Sequence, residues 1–180
     1  MKGKFTLSGF SDEIDEMIPV QFAHLKELGI RYFEPRGING KNISKLDDEE
    51  ITELKAEMDR YGIQVSSIGS PIGKIRITDD FEPHLLELKR TIETAKRLGT
   101  RYIRMFSFYI PDGQYVEYRD EVMRRMKAMT TLAAQEDVIL LHENEKGIYG
   151  DIASRCLEIL EEVDSPYLRA VFDQIGRAHV

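Results

Sequence analysis

The sequence contains almost no cysteine. Its 180 residues include one, Cys156, so an internal disulfide is excluded. A single cysteine is typical of a protein from a reducing compartment, and it excludes the small secreted domains whose folds depend on disulfides. Cys156 shares an apolar helical stripe with Ile152 and Leu160, and we interpret it as a buried, inert thiol.

Long apolar runs are also missing. No stretch approaches the roughly 18 apolar residues that a membrane helix needs. The N-terminus carries Lys2 and Lys4 but no apolar run after them, so it does not resemble a secretory signal. We therefore expect a cytoplasmic protein with no membrane partner.

Positive charge is in deficit. The chain has 25 Lys and Arg against 32 Asp and Glu, a net charge of −7. An acidic surface repels phosphate backbones, so nucleic acid is a poor candidate partner, although a small anionic substrate is not excluded. The hydrophobic content of 42% is that of an ordinary soluble domain, and the chain is long enough for one substantial core.

What the sequence does contain is a repeated strand–loop–helix unit. Short β-rich runs are separated by segments in which apolar residues recur every three to four positions, as in Val122, Met126, Met129 and Ala133. Strict alternation of this kind predicts a parallel sheet with helices outside. The predicted strands are Phe5–Phe10, Ile30–Glu34, Ile63–Gly69, Tyr102–Phe108, Val138–Glu143 and Leu168–Asp173.

The junctions between these units repeat as well. Gly29, Gly62 and Gly99 each stand between a helix and the next strand, where a left-handed residue is common. Capping residues precede the predicted helices. They are Ser44, Asp47, Asp79, Asp80 and Asp151.

Two architectures satisfy the alternation, a doubly wound open sheet and a closed (β/α)8 barrel. The first strand runs into residues 8–13 (SGFSDE), which lack the glycine-rich phosphate loop of the open sheet. Polar residues instead end nearly every predicted strand, where barrel enzymes place their chemistry. The sequence therefore favours the barrel. These strand-end residues are Glu34, Ser70, Ser107, Glu143 and Asp173.

Glu143 and Asp173 are the main candidates for chemistry, because each ends an apolar strand. On neighbouring strands the two carboxylates would repel each other unless a cation lay between them. Hard oxygen ligands suit Mg²⁺ or Mn²⁺, with Co²⁺ or Zn²⁺ as further candidates. The alternative, that each carboxylate only caps a loop or pairs with a nearby cation, stays open on spacing alone.

Other polar residues on the same rim are candidates for binding a substrate. They are Glu34, Arg36, Lys74, Arg104 and Ser107. A cationic group there would suit a sugar hydroxyl or phosphate, although a salt bridge between strand ends explains each one equally well. His142 precedes Glu143, so its side chain should point to the opposite side of the strand.

The sequence resembles the sugar phosphate isomerase/epimerase family, the xylose isomerase-like TIM barrels. The resemblance runs from Lys4 to Asp173. It is carried by residues 9–14 (GFSDEI), 28–34 (LGIRYFE) and 171–173 (VFD), and most strongly by 141–151 (LHENEKGIYGD).

The resemblance implies a divalent metal held by Glu, Asp, His and Glu from strands five to eight, of which Glu143 and Asp173 match the first two. It also implies that Glu143 moves a proton beside a substrate carbonyl, giving isomerisation or epimerisation of a sugar, sugar phosphate or related polyol through an ene-diolate. A dehydratase or lyase of the same fold, or a barrel that has lost its chemistry, stays an alternative. An abasic-site endonuclease is disfavoured, because the chain lacks a histidine-rich site and a basic groove. A homo-oligomer is left open for the full-length protein.

The resemblance also implies that the barrel is incomplete. Residues 1–173 correspond to its first six strands, so the third and fourth metal ligands are missing and we expect this chain by itself to be inactive. Residues 174–180 depart from the family. The codons ATC GGA AGA GCA CAC GTC would encode Ile175 to Val180 and resemble a sequencing adapter, so we interpret 174–180 as a non-native tail and do not assign His179 as a ligand.

Overall fold

The computed structural model describes residues 5–173, and within them strands and helices alternate, except that three short strands follow one another between the first two α-helices. The helices are α1 (Ile18–Glu27), α2 (Asp48–Tyr61), α3 (Glu82–Leu98), α4 (Tyr115–Gln135) and α5 (Ala153–Val163). The strands are β1 (Tyr32–Phe33), β2 (Gly37–Ile38), β3 (Lys41–Asn42), β4 (Gln64–Val65), β5 (Tyr102–Met105), β6 (Ile139–Glu143) and β7 (Leu168–Val171). The predicted tail at 174–180, with His179, lies outside the described residues.

The contacts divide the chain into two compact units. The first comprises Met1–Ser70 and Glu93–Arg101, and the second comprises Pro71–Ile92 and Tyr102–Val180. Among the helices within residues 5–173, none combines the length and the hydropathy that crossing a membrane requires.

The first unit pairs β1 in parallel with β4, with Phe33 opposite Val65. Phe33 is fully buried and meets the ring of Phe22 from α1 edge-on, with centroids 4.9 Å apart. Helix α2 begins at a complete capping box, in which the Asp47 side chain accepts from backbone amides and Glu50 reaches back to the Asp47 amide. The predicted cap at Asp47 is thereby confirmed.

The second unit contains a three-stranded parallel sheet in the order β5–β6–β7. The register places Arg104 beside Leu141, and Glu143 beside Val171. Helix α4 buries its predicted apolar stripe completely or almost completely, which confirms that the methionines there fill the core. The buried members are Val122, Met126, Met129 and Ala133.

Two local predictions were wrong. Residues 5–10 form no strand, because the Gly9 carbonyl, which accepts from the Glu34 amide, makes one backbone bond and not a ladder. Asp151 does not cap α5, whose N-cap is Ile152 without a side-chain bond. Asp151 instead forms an ion pair with Arg155, the third residue of the helix. The three junction glycines are confirmed in the left-handed region, with φ of 71°, 69° and 81° at Gly29, Gly62 and Gly99.

A tight contact joins the loop before α3 to the chain after β5. Gly73 has φ +89°, and a Cβ built there would overlap the backbone carbonyl of Phe106. The Gly73 carbonyl accepts from the Phe108 amide at 2.9 Å, and the Gly73 amide donates to His84 Nε2 at 2.7 Å. Glycine is required at this position because both the backbone angle and the available space exclude a side chain.

We expect Gly73→Ala to lower the free energy of unfolding by more than about 2 kcal/mol, because a methyl group would overlap backbone that is held on both sides. Gly113→Ala is the matched control, since Gly113 has φ +77° but a Cβ there meets no heavy atom within 4 Å. Its expected loss is about 1 kcal/mol, from the left-handed backbone alone. Urea unfolding followed by circular dichroism measures both, and equal losses would contradict a steric constraint at Gly73.

Candidate active site

The candidate site is built on the C-terminal end of β6. Glu143 is the last residue of this strand and is 7% exposed. In a parallel sheet the carboxyl ends of neighbouring strands meet at one edge, so side chains from β5 and β7 are brought beside it. Residues that are 30 to 40 positions apart in the sequence therefore share one small volume.

Asp173 follows β7 and is held beside β6 by Asn144. The Asn144 Nδ2 donates to the Asp173 carbonyl at 2.9 Å, and the Asp173 amide donates to Asn144 Oδ1 at 3.0 Å. Burial raises the pKa of the Glu143 carboxyl, and the negative charge of Asp173 raises it further. The two carboxylates predicted to act together thus lie close enough for the charge of one to shift the pKa of the other.

Two cations lie at the same edge. Arg104 of β5 is 8% exposed, and its guanidinium lies 3.5 Å from Glu143 Oε2. Lys74 forms an ion pair with Glu145 at 2.7 Å. Both cations lie over the ring of the buried Phe106, at 4.2 Å for Lys74 Nζ and 5.1 Å for Arg104 Cζ. Both lower the pKa of Glu143 and so partly offset the effect of burial.

Ser107 and His142 form a buried pair next to this edge. Ser107 is fully buried, its Oγ lies 3.0 Å from His142 Nε2, and it accepts from the Gly150 amide at 2.8 Å. A Cβ at Gly150 would overlap the His142 ring, so glycine admits the imidazole. The hydroxyl of Ser107 therefore links strand β6 to the loop that contains Gly150. Substrate contact by Ser107 stays a prediction.

The imidazole of His142 is held in its neutral form. Burial lowers the pKa of His142 to about 4. Its Nδ1 is buried without a hydrogen-bond partner among the described residues, so a second ring proton would add an unpaired charge to the interior. His142 is therefore an uncharged, buried group that bonds to Ser107.

Glu34 and Arg36 belong to the first unit, in the segment that follows β1. The Arg36 Nε donates to Asp12 Oδ2 at 2.9 Å, its second terminal nitrogen contacts Glu13 at 3.3 Å, and its guanidinium lies over the Phe10 ring. Three residues of the 9–14 motif, namely Phe10, Asp12 and Glu13, thus contact the Arg36 side chain. Substrate contacts for Glu34 and Arg36 stay predictions.

The donor set agrees with half of a metal site. Glu143 and Asp173 supply hard oxygen donors. Burial is the largest cause of the raised pKa of Glu143, and the negative charge of Asp173 adds to it. Within residues 5–173 no group of three or more His, Cys, Asp or Glu side chains is arranged to hold a metal. The described residues thus fit as two ligands of a larger set.

Sequence reasoning missed Asn144 and Glu145. Asn144 binds the backbone of one candidate ligand, and Glu145 pairs with the candidate cation Lys74. The available signal was their position directly after Glu143, within the most distinctive motif of the chain. Their partners lie on other strands and loops, and no spacing rule connects them.

A protein-family model described as a xylose isomerase-like TIM barrel matches residues 22–175 of this chain. No curated protein matches it. The architecture predicted from the strand ends, a barrel instead of an open sheet, is confirmed by this match.

Solved structures are similar in fold at low sequence identity. A xylose isomerase-like TIM barrel protein from Mycobacterium smegmatis in complex with magnesium is 16% identical, over 92% of this chain and 63% of that one, with a TM-score of 0.71. The probable 3-DHS dehydratase from Bacillus anthracis is 20% identical over 94% and 63%, with a TM-score of 0.78. The 3-keto-D-glucoside 4-epimerase from E. coli is 17% identical over 94% and 68%, with a TM-score of 0.70.

At these identities the similarity shows the fold alone. The chain spans 63% of the length of the first two structures. This share agrees with the predicted correspondence to part of a barrel.

We expect the stability of the protein to fall as the pH decreases from about 6.5 to 4, in part because of His142. In this window the unfolded chain, with a histidine pKa near 6.5, binds a proton that the folded chain excludes, so the free energy of unfolding decreases with decreasing pH. A folded-state pKa of about 4 for His142 means that the free energy of unfolding falls by about 3 kcal/mol across this window. Urea unfolding at several pH values measures it.

His142→Gln is the control for this effect. Glutamine does not titrate, while all carboxylates that respond to acid remain in both proteins. The difference between the two pH profiles therefore isolates the imidazole. Parallel profiles would show that His142 takes up a proton as readily in the folded protein as in the unfolded chain.

Proposed function

Because the chain belongs to the family of xylose isomerase-like TIM barrels, we propose that its complete protein isomerises or epimerises a sugar, sugar phosphate or related polyol. The reaction is a proton transfer beside a carbonyl, through an ene-diolate, and it depends on a divalent metal. The 180-residue chain spans about 63% of comparable solved structures, so this activity is assigned to the complete protein.

The observation that carries the proposal is the juxtaposition of Glu143 and Asp173 at the ends of neighbouring parallel strands. Glu143 is almost fully buried, and its raised pKa makes it a stronger base than an exposed carboxylate. A buried carboxylate that pairs with one guanidinium at 3.5 Å keeps oxygen lone pairs for a second partner. Such a group suits a general base better than a purely structural ion pair.

In the proposed mechanism, Glu143 accepts the proton from the carbon beside the substrate carbonyl. Arg104 orients the carboxylate and limits its basicity through its charge. Return of a proton to the opposite face of the same carbon gives the epimer, and the strand-eight glutamate of the complete barrel would donate it. For the isomer, the proton returns to the former carbonyl carbon, while the hydroxyl proton of the first carbon passes to the former carbonyl oxygen. Lys74 and Arg104, supported by the ring of Phe106, are proposed to bind substrate oxygens.

Glu143 and Asp173 would hold the metal, together with a histidine and a glutamate from strands seven and eight of the complete barrel. A divalent cation held there (Mn²⁺, Mg²⁺, Co²⁺ or Zn²⁺) would supply electrostatic stabilisation of the negative charge that develops on the substrate carbonyl oxygen. Sequencing the source gene across the codon for Asp173 tests whether this histidine and this glutamate are encoded. An open frame that continues with both residues supports the site, whereas a natural stop at Val180 rules out a four-ligand site within one chain.

A dehydratase is the second candidate, favoured by the fold similarity to the probable 3-DHS dehydratase. Its chemistry begins with the same proton abstraction and differs in the loss of water from the carbanion. Product analysis separates the two, since a dehydratase forms an unsaturated carbonyl compound that absorbs in the ultraviolet.

An abasic-site endonuclease is disfavoured by the net charge of −7. The single cysteine supports a cytoplasmic location.

We expect Glu143→Gln to abolish proton transfer in the complete protein. The amide is not a base, so the rate of deuterium incorporation from D₂O into a ketose or aldose substrate should fall by at least about 100-fold. Mn²⁺ affinity, measured by titration calorimetry, should fall as well because one anionic ligand is lost. Mass spectrometry of the recovered sugar gives the exchange rate.

Glu162→Gln is the matched control, since it makes the same chemical change at a surface ion pair with Lys127 in the same unit. It should leave exchange and Mn²⁺ affinity unchanged. A Glu143→Gln protein that still binds Mn²⁺ and exchanges deuterium at the normal rate would overturn the proposed function.

A further inference from the structure

We propose that Asn144 is the positioning residue of the candidate metal site, because its side-chain amide fixes the main chain of Asp173 beside Glu143. This inference rests on the proposed function, in which both carboxylates bind one cation. Asn144 itself makes no contact with substrate or metal in this proposal, and it acts through Asp173.

The geometry is a two-way backbone contact. Asn144 Nδ2 donates to the Asp173 carbonyl at 2.9 Å, and Asn144 Oδ1 accepts from the Asp173 amide at 3.0 Å. One side chain therefore binds both the donor and the acceptor of a single residue. We call this pair of bonds the Asn144 clamp.

The clamp lies where the backbone ladder stops. The paired register of β6 and β7 ends with Glu143 opposite Val171. Beyond this point the strands enter loops, and nothing in a regular sheet holds the next residues together. The amide of Asn144 has the same donor and acceptor as a peptide group, so it supplies one further rung of the ladder.

This extra rung ties the two candidate ligands to each other. Asn144 is bonded covalently to Glu143 and non-covalently to Asp173, so the main chains of both ligands are linked through one residue. A metal site requires its ligands within about 0.5 Å of the productive geometry, and partners outside the ligand set provide that precision. Among the side chains of similar size, Asp lacks the donor and Leu lacks both groups.

The exposure of Asn144 also favours this role. Asn144 is only half-buried, so its amide would be well solvated if it were released. The amide nevertheless bonds to the backbone of Asp173 through both its nitrogen and its oxygen. The residue placed in this way is Asp173, whose negative charge raises the pKa of Glu143.

The test uses the complete protein with Asn144→Ala, Asn144→Gln and Asn42→Ala. Asn144→Ala removes both bonds, and Asn144→Gln keeps both groups but moves them by one methylene. Asn42→Ala is the matched control, because Asn42 Oδ1 accepts from the Ser44 amide at 3.0 Å and belongs to the other unit. Urea unfolding shows the stability loss of each variant.

Two further measurements are made under conditions in which every variant remains folded. Hydrogen exchange at the Asp173 amide, resolved by NMR, reports the clamp directly and needs no metal. We expect exchange at least about tenfold faster in Asn144→Ala, since the acceptor of that amide is lost. The Mn²⁺ dissociation constant, obtained from the electron paramagnetic resonance signal of free Mn²⁺, should rise by about 10- to 100-fold in Asn144→Ala and also rise in Asn144→Gln.

A loss of Mn²⁺ affinity in both Asn144 variants, with normal affinity in Asn42→Ala at similar stability, supports the proposal. Unchanged affinity in Asn144→Gln, or an unchanged exchange rate at Asp173 in Asn144→Ala, overturns it. If the wild-type protein itself binds no Mn²⁺, the proposed function fails, and the exchange rate at Asp173 alone then decides whether the clamp exists.

Discussion

The parallel ladder of β5, β6 and β7 is the constraint on which the candidate site depends. Its register aligns Arg104 with Leu141 and Glu143 with Val171, so the strands end within one or two residues of each other. Because parallel strands point in the same direction, their carboxyl ends form one edge. A shift of one residue would turn Glu143 to the other face of the sheet and separate it from Arg104.

The loops at this edge are held by buried polar contacts, and these contacts require small residues. Gly73 lets one loop touch the backbone of Phe106, and Gly150 leaves room for the ring of His142. Ser107 then bonds to both His142 and Gly150. Loops with these anchors present charged side chains at a defined place, which agrees with the general need of active sites for a rigid support.

The charges at the edge are nearly balanced before any ligand is considered. Arg104 pairs with Glu143 and Lys74 pairs with Glu145, while Asp173 adds a further negative charge close to Glu143. Burial and this added charge both raise the pKa of Glu143. The Glu143 carboxylate therefore takes up a proton more readily than an exposed carboxylate does.

The sequence by itself determined the alternation of strands and helices, the barrel class and the two carboxylates at the strand ends, because apolar periodicity and strand-end polarity are local patterns. It did not reveal that residues 5–10 form no strand, since their pairing depends on distant partners. Only the tertiary structure decided that Asn144 binds Asp173, 29 positions away, and that Gly150 binds Ser107, 43 positions away. Such contacts depend on strand register and loop path, and side-chain direction across a sheet is set by packing that no local pattern contains.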